Sequence, residues 1–182
     1  MTALRILVVL GTGLAVSMGL MGCASNPDAR DPSSNATAPA SLPPEKERVP
    51  KKAALPDLPE GAGPIDEDAP EEFTRTPSGL YYRILRKSKG RKPRSFSTVL
   101  AHYRGWLNNG KQFDSSYDKG NPIEFPLTQV VPGWTEGLQL IGVGGMIELE
   151  VPARLGYGAN GKPPAVPPNA TLHFIVEMME VK

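Results

Sequence analysis

The side chains that most often carry covalent catalysis or bind metals are scarce in this chain of 182 residues. Cys23 is the only cysteine, which excludes an intrachain disulfide and a zinc site built from cysteines. The two histidines, His102 and His173, are too few and too isolated to suggest a metal cluster. The sequence also lacks a supported Ser/His/Asp spacing and a Walker-type phosphate loop. It therefore predicts a function that needs no metal and no cofactor.

One glycine-rich segment imitates a cofactor motif. Residues 156–161, GYGANG, satisfy G-x-G-x-x-G, but a dinucleotide site needs a helix that starts within the motif. Four prolines follow within residues 162–168, and no helix opens through them. Nucleic acid is not an expected partner either, because 20 basic residues are balanced by 19 acidic ones and no global field attracts it.

The N-terminus has the pattern of a secretory signal. Arg5 and the amino terminus supply positive charge, and the residues from Ile6 to Cys23 carry none. The stretch Leu20-Met21-Gly22-Cys23 resembles the bacterial lipobox, which has an aliphatic residue three before the cysteine and a small one directly before it. The resemblance implies a signal peptide of residues 1–22, cleavage before Cys23, and acylation, as by palmitate, of the Cys23 thiol and the new amino group.

Three other interpretations of this N-terminus stay open: an uncleaved membrane helix, a plain cleaved signal and a chance cysteine. The first is possible because about 18 uncharged residues lie at the lower edge of spanning length. Ala24 follows the cysteine, in place of the aspartate that resembles an inner-membrane retention signal. We therefore expect an extracytoplasmic, lipid-anchored protein at the periplasmic face of the outer membrane of a diderm bacterium.

Residues 23–72 have the composition of a linker behind the lipidated cysteine. Ten prolines lie between Cys23 and Phe73, and no aromatic residue does. Such a segment cannot bury enough apolar surface to offset the entropy lost on ordering. The sequence therefore predicts a proline-rich disordered linker, whose acidic second half is solvated.

The remaining residues, 73–182, read as strands with one short helix. Apolar and polar residues alternate in four segments, which is the strand pattern: residues 80–85, 101–107, 147–151 and 172–178. Between them Val131, Trp134 and Leu138 form a helical stripe, and Pro132 suits a first turn. Several strands without long helices between them favour an antiparallel sheet, so the predicted fold class is α+β.

The stretch from Arg86 to Arg94 is strongly basic, with six cations in nine residues. We expect an exposed hairpin loop there. A merely solvated turn is one interpretation, and contact with anionic lipid headgroups or with the acidic half of the linker is the other.

Six short stretches, in chain order, resemble the FKBP family of peptidyl-prolyl cis–trans isomerases. They are HYRG (102–105), GKQFDSS (110–116), PIEFPL (122–127), VVPGWTEG (130–137), GYG (156–158) and PPNATLHF (167–174). Each is weak alone, and the ordered set is specific and covers residues 73–182 without a large gap. The resemblance implies a strongly bent antiparallel sheet wrapped around one short helix, with a pocket that binds X-Pro segments and the family's macrolide inhibitors.

The resemblance also implies which residues form that pocket. Trp134 on the helix would be the floor, Tyr157 would hydrogen-bond the bound carbonyl, and Asp114 would order polar groups at the rim, without proton transfer by either. These two, Tyr157 and Asp114, are the candidate catalytic residues. The candidate substrate-binding residues are Tyr103, Phe113, Ile123, Phe125, Val130, Val131, Trp134, Ala165, Val166 and Phe174.

Three positions depart from the family's common pattern. Ala165-Val166 stands where two larger aliphatic residues are frequent, and Ile123 replaces an aromatic residue, so the implied pocket is shallower. Arg154 stands where many bacterial members have an acid, and we expect a surface change.

The implied function is isomerisation of X-Pro bonds in extracytoplasmic proteins, by desolvation and transition-state binding in an aromatic pocket. A proline-recognising chaperone or binding module with little turnover is the alternative from another class, and a structural envelope lipoprotein is a third. A proline-rich linker lacks the long helix that dimerises some related surface isomerases, so we expect a monomer.

Overall fold

The computed structural model of the chain describes residues 52–182. The predictions for the signal peptide 1–22, for Cys23 and for the first part of the linker lie outside these residues. Within them, no helix has the length and apolar character needed to cross a bilayer.

Seven strands form one antiparallel sheet in the order β1-β2-β6-β7-β3-β4, with β5 also paired to β3. Their bounds are β1 Thr74–Arg75, β2 Tyr81–Arg86, β3 Thr98–Leu107, β4 Gln112–Ser115, β5 Ile123–Pro126, β6 Met146–Val151 and β7 Leu172–Val181. The four segments predicted from alternation are β2, β3, β6 and β7, which form the centre of the sheet. Short strands β1, β4 and β5 were not predicted, because two to four residues carry too little periodic signal.

The sheet bends along β3, its longest strand together with β7. The first half of β3 pairs with β5 and the second half with β4, while its other edge pairs with β7 throughout. Residues at alternate β3 positions are buried on the inner side, among them Val99, Ala101 and Tyr103. This bend gives the sheet a concave face, as predicted.

A single short helix, α1 at Pro132–Gly137, lies against that face and continues as a 3-10 turn at Leu138–Leu140. Two glycines let it approach β6 closely. A Cβ at Gly133 would lie 2.6 Å from a methyl of Val151, and one at Gly137 would lie 2.7 Å from a methyl of Leu149. These glycines weaken the helix by itself but allow its contact with the sheet.

Residues 52–72, which we call the strap, run across the opposite, convex face of the sheet, where the sequence predicted a disordered linker. Leu58, Ala62 and Ile65 of the strap pack against a buried cluster formed by Leu85, Met146 and Ile175, while Lys52 and Glu72 form a β-bridge. For these residues the prediction is corrected. The prediction considered only the apolar surface of the segment itself. It did not include the apolar surface of the sheet against which the segment packs.

Three arginines of the sheet hold the strap by its backbone. Arg83 donates to the carbonyls of Ala53, Ala54 and Glu71, Arg86 to that of Pro64, and Arg104 to that of Asp57. A segment without regular structure must find partners for its carbonyls when it is buried, and guanidinium groups supply several donors each. The strap is therefore ordered by donors of the sheet.

The strap also changes the environment of β6. The alternation of Ile147, Leu149 and Val151 with Glu148 and Glu150 predicted one buried face, yet Glu148 is buried as well. It pairs with Arg83 at 2.7 Å, and the two side chains are 7% and 1% exposed. Both faces of the central sheet are thus covered.

The basic stretch from Arg86 to Arg94 connects β2 to β3. These strands are separated in the sheet by β6 and β7, so the connection is a crossover and not the predicted hairpin loop. Lys87 pairs with Asp68 of the strap, and its backbone N–H donates to the carboxylate of Asp66 at 2.7 Å. Contact with the acidic half of the linker, one of the alternatives for this stretch, is therefore present at its Lys87 end.

Candidate active site

An aromatic cluster occupies the concave face around Trp134 of α1. Its ring meets Tyr103, Phe125 and Phe174 edge to face, with centroids 5.2, 5.3 and 5.3 Å apart. Tyr103 and Phe125 also meet each other edge to face at 5.5 Å. Such geometry is the favoured one between aromatic rings and fixes each ring by its neighbours.

The predicted substrate-binding residues all belong to, or pack against, the hydrophobic core that contains these rings. Four are buried: Tyr103, Trp134, Val166 and Phe174. Six are partly buried and pack against the same core: Phe113, Ile123, Phe125, Val130, Val131 and Ala165. They come from β3, β4, β5, β7, the helix and the loop after the 3-10 turn Ala153–Leu155, so only the bent sheet can assemble them.

A glycine of β3 makes room for the side of the pocket formed by Phe113 and Phe174. These two rings meet edge to face at 5.6 Å. A Cβ at Gly105 would lie 2.7 Å from Phe113 and 2.9 Å from Phe174, which a real side chain could not do without moving a ring. Close approach of the rings to the strand therefore requires glycine here.

Asp114 on β4 lies at the rim, where its carboxylate is fully engaged. It accepts hydrogen bonds from the Tyr103 hydroxyl, from the backbone N–H of Ser115 at 3.0 Å and from Lys119 at 2.7 Å. Burial by itself would raise the pKa of Asp114, but the bonds from Lys119 and Tyr103 outweigh it and hold the pKa below its usual value. The pKa of Tyr103 is raised, first by burial and then by its bond to Asp114. Asp114 therefore stays an anion that orients Tyr103, which agrees with the ordering role implied for it.

Tyr157 is held in the loop that follows the 3-10 turn Ala153–Leu155. The loop closes on itself through backbone bonds from Gly158 to Ala153 and from Asn169 to Gly158, at 2.8 and 2.9 Å. The ammonium group of Lys162 lies 5.5 Å from the centre of the Tyr157 ring. Tyr157 is partly buried against the core cluster, and its place in the pocket wall stays a prediction.

The donor on the floor of the cluster is unpaired. Among residues 52–182 the indole Nε1 of Trp134 is buried and makes no hydrogen bond. A buried donor without an acceptor is unfavourable by about 1–3 kcal/mol, which a binding site tolerates more readily than a core. The arrangement is thus an apolar aromatic cluster with a few polar groups at its edge, and it contains no nucleophile paired with a base.

Sequence reasoning missed two lysines at this site. Lys119 pairs with Asp114, and Lys162 lies over Tyr157. Lys119 could have been noticed as the first cation that follows Asp114 in the chain, in the turn after β4. For Lys162 the only signal was its place in the loop of residues 156–168.

This fold and this cluster agree with the comparison with protein families. Residues 89–179 match the family described as FKBP-type peptidyl-prolyl cis-trans isomerase. The chain belongs to this family. The earlier resemblance is confirmed, and so is the bent sheet wrapped around one helix.

Individual relatives lead to the same result. A protein of Haemophilus influenzae named "Probable FKBP-type peptidyl-prolyl cis-trans isomerase" is 51% identical over 111 residues, which are 61% of this chain and 46% of that protein. FkpA of Escherichia coli, an FKBP-type peptidyl-prolyl cis-trans isomerase, is 47% identical over 115 residues, 63% of this chain and 42% of FkpA. The chain thus spans less than half the length of these relatives.

Solved structures show the same fold. The crystal structure of Escherichia coli FkpA matches with a TM-score of 0.59 and 45% identity over 60% of this chain and 51% of that chain. A peptidyl-prolyl cis-trans isomerase of Pseudomonas syringae matches with a TM-score of 0.57 and 32% identity over 60% of this chain and 80% of its own. The matched part of the chain is therefore an FKBP domain.

Proposed function

We propose that the chain is a peptidyl-prolyl cis–trans isomerase that acts on X-Pro bonds of extracytoplasmic polypeptides. The observation that carries this proposal is the Trp134-centred aromatic cluster, assembled by an FKBP fold, with Tyr157 and Asp114 at its edge. Proline is the apolar ring that such a concave aromatic surface suits.

The reaction needs no nucleophile. Rotation about an X-Pro amide crosses about 18–20 kcal/mol because it destroys the C–N resonance, and without a catalyst it takes tens of seconds or longer. Millisecond turnover needs about 10⁴-fold acceleration, or about 5.5 kcal/mol. The planar amide is the more dipolar state, so a pocket that strips water from its carbonyl destabilises the planar form. Desolvating an amide costs about 2–7 kcal/mol, which is the required size.

Each polar residue then has a role without proton transfer. Tyr157 donates a hydrogen bond from its hydroxyl to the bound carbonyl. Asp114, an anion that accepts from Tyr103 and Lys119, fixes Tyr103 in the wall of the pocket. The twisted transition state is selected because its nitrogen is a better acceptor and its shape fits the pocket.

A protease-coupled assay tests the activity. The full chain, held in phosphatidylcholine vesicles, is added to a tetrapeptide with one X-Pro bond and a protease that cleaves only the trans form. We expect catalysed conversion of the cis fraction that the family's macrolide inhibitors suppress. Tight macrolide binding without conversion would show the alternative, a proline-recognising binding or chaperone module.

We further propose that the protein is a lipoprotein, acylated at Cys23 and anchored by its lipid at the periplasmic face of the outer membrane, as a monomer. The lipobox-like stretch before Cys23 supports the anchor. Two or more acyl chains make a stable anchor, since each buried methylene contributes about 0.8 kcal/mol.

Replacing the thiol tests the anchor. Cys23→Ser should release the protein from membranes, because the chain offers no other thiol. A variant that still resists carbonate washing would show an uncleaved membrane helix in place of the lipid. Gel filtration of the protein in lipid discs tests the monomer.

A further inference from the structure

One aromatic side chain of the domain is exposed beside the pocket. Phe96, in the turn before β3, is 70% exposed, more than any other large hydrophobic residue among those described. Full burial of such a side chain is worth about 1.5–3 kcal/mol, so leaving it in water is unfavourable unless something covers it. Phe96 lies in the crossover connection between β2 and β3, and it is not among the pocket residues that the family resemblance implies.

The turn that carries Phe96 is fixed by hydrogen bonds. The backbone N–H of Ser97 donates to Arg94 at 2.9 Å, and the Ser97 hydroxyl accepts from the N–H of Arg94 at 3.1 Å. The carbonyl of Ser97 accepts from the N–H of Leu127 at 2.9 Å, which ties the turn to the segment after β5. Phe96 is therefore displayed on a rigid support.

Phe96 forms one wall of a groove with a volume of about 610 Å³. Leu127 and Val130 line the groove as well, and Pro132, Thr135 and Gln139 of the helical segment form the other wall. Positions 132, 135, 136 and 139 share the outer face of the helix, while Trp134 and Leu138 share the inner face. The groove thus runs along the back of the helix whose front is the pocket floor.

The groove and the pocket are continuous at Val130. This residue lines the groove and also packs against the core cluster that contains the pocket aromatics. A polypeptide that contacts Val130 in the predicted pocket would therefore also contact the groove.

Three polar side chains of the groove, those of Thr135, Glu136 and Gln139, have partners inside the protein. Thr135 donates its hydroxyl to the carbonyl of Leu127 at 2.7 Å, and Gln139 donates its amide to the carbonyl of Thr135 at 2.7 Å. Glu136 accepts from the hydroxyl of Ser78 at 2.6 Å. Besides the hydroxyls of Ser95 and Thr128, what remains for a ligand is apolar surface, which favours an aliphatic or aromatic side chain.

We propose that this groove is a second substrate subsite, which binds an apolar side chain of the polypeptide that flanks the proline. The inference rests on the proposed isomerase function. Residues 132–139 span about 12 Å at the helical rise, which an extended strand covers with about three to four residues. The subsite therefore takes a side chain about three to five residues from the proline.

A register scan tests this subsite. Twelve-residue alanine- and serine-based peptides carry one Leu-Pro bond and a single Phe, moved from two to six residues away on either side. We expect one or two registers to bind the full chain in phosphatidylcholine vesicles about five- to tenfold more tightly than the Phe-free peptide. For each protein, kcat/KM for the best-register peptide is divided by kcat/KM for a tetrapeptide. In Phe96→Ala this ratio should fall by about the same five- to tenfold factor. Thr128→Arg, which fills the groove from its exposed edge, should do likewise.

Met179→Ala is the matched control, because Met179 is exposed on β7 and does not line the groove. Its register dependence should equal that of the unchanged protein. Absence of any preferred register, or a preference that survives both groove variants, overturns the subsite. The subsite is also overturned if the groove mediates self-association or binding to phosphatidylglycerol vesicles and no peptide register is preferred.

The two proposals fail separately in these measurements. A register preference that depends on Phe96, found without tetrapeptide turnover, removes the isomerase proposal and keeps the subsite. Tetrapeptide turnover without a preferred register does the reverse.

Discussion

The two faces of the sheet are covered in opposite ways. On the concave face aromatic rings contact one another, and the indole donor of Trp134 is left without a partner. On the convex face Arg83 meets Glu148 and three backbone carbonyls, so its donors are used within the protein. The difference suggests how to separate a binding face from a structural one. The binding face is built from apolar rings, whereas on the structural face arginines bind the backbone of the strap, although the Nε of Arg104 there is also buried without a partner.

The largest effect is expected on folding stability, from a substitution on the convex face. Arg83→Ala removes the arginine from the buried ion pair with Glu148 and removes the donors for the carbonyls of Ala53, Ala54 and Glu71. Breaking a buried ion pair from one side destabilises by about 3–5 kcal/mol, to be measured as the free energy of unfolding in urea. Lys182→Ala, which breaks the exposed pair with Glu124, is the control and should leave the urea midpoint unchanged. If both variants unfold alike, the strap does not stabilise the domain.

On the concave face the largest effect is expected at Ala165, where the wall is three carbons short of an isoleucine. Ala165 is partly buried against the core cluster. At about 0.8 kcal/mol per buried methylene, the gain is about 2 kcal/mol on full burial and about half of that on partial exposure, so Ala165→Ile should tighten macrolide binding about five- to thirtyfold. Isothermal titration measures this, with little expected change in urea stability. Equal or weaker affinity would show that Ala165 does not face the pocket.

A smaller effect is expected from the hydroxyl of Tyr157. Tyr157→Phe keeps the ring against the cluster and removes one neutral hydrogen bond, so ligand affinity should fall by about 0.5–1.5 kcal/mol and turnover by about tenfold at most. Tyr81→Phe on β2 is the matched control, since Tyr81 lies outside the cluster and contacts Arg75. A loss of several thousandfold would assign acid–base chemistry to Tyr157, against the desolvation mechanism.

The smallest effect is expected from acid titration beneath the strap. Glu177 accepts from the backbone N–H of Gly63 and from Arg86, and these bonds, against the effect of burial, hold its pKa below the usual 4.5. A lowered pKa means that Glu177 stabilises the folded state above about pH 4.5, and that this contribution is lost as the pH falls through the folded pKa. Glu177→Gln should therefore flatten the decline of the urea midpoint below pH 4.5. A decline as steep as in the unchanged protein would assign the acid sensitivity to other groups.

Sequence reasoning succeeded where the signal was local or was carried by a motif. The alternation of Ile147, Leu149 and Val151 predicted a strand because each side chain's face follows from its position alone. The pocket followed from short stretches such as VVPGWTEG, which fix both the helix and its floor residue. The predicted pocket residues all belong to or pack against one core cluster, although no single one of them indicated it, and their role as a pocket stays a prediction.

It failed where the outcome depended on a partner distant in sequence. Composition alone made the strap a linker, because the donors of Arg83 and the apolar patch of Leu85 belong to a different segment. Phe96 gave no periodic signal, and its exposure follows from a turn fixed by Ser97. Nor could the order of strands be deduced from the basic stretch, which looked like a hairpin and is a crossover.

The way the arginines hold the strap has an evolutionary consequence. Arg83, Arg86 and Arg104 bind carbonyl oxygens, which every residue type carries, so these contacts place few demands on the strap's side chains. Substitutions should accumulate quickly at strap positions other than the apolar Leu58, Ala62 and Ile65, while the three arginines and the length of the strap are retained. In related chains the presence of a docked segment would then be inferred from these arginines of the sheet, and not from sequence similarity between the segments themselves.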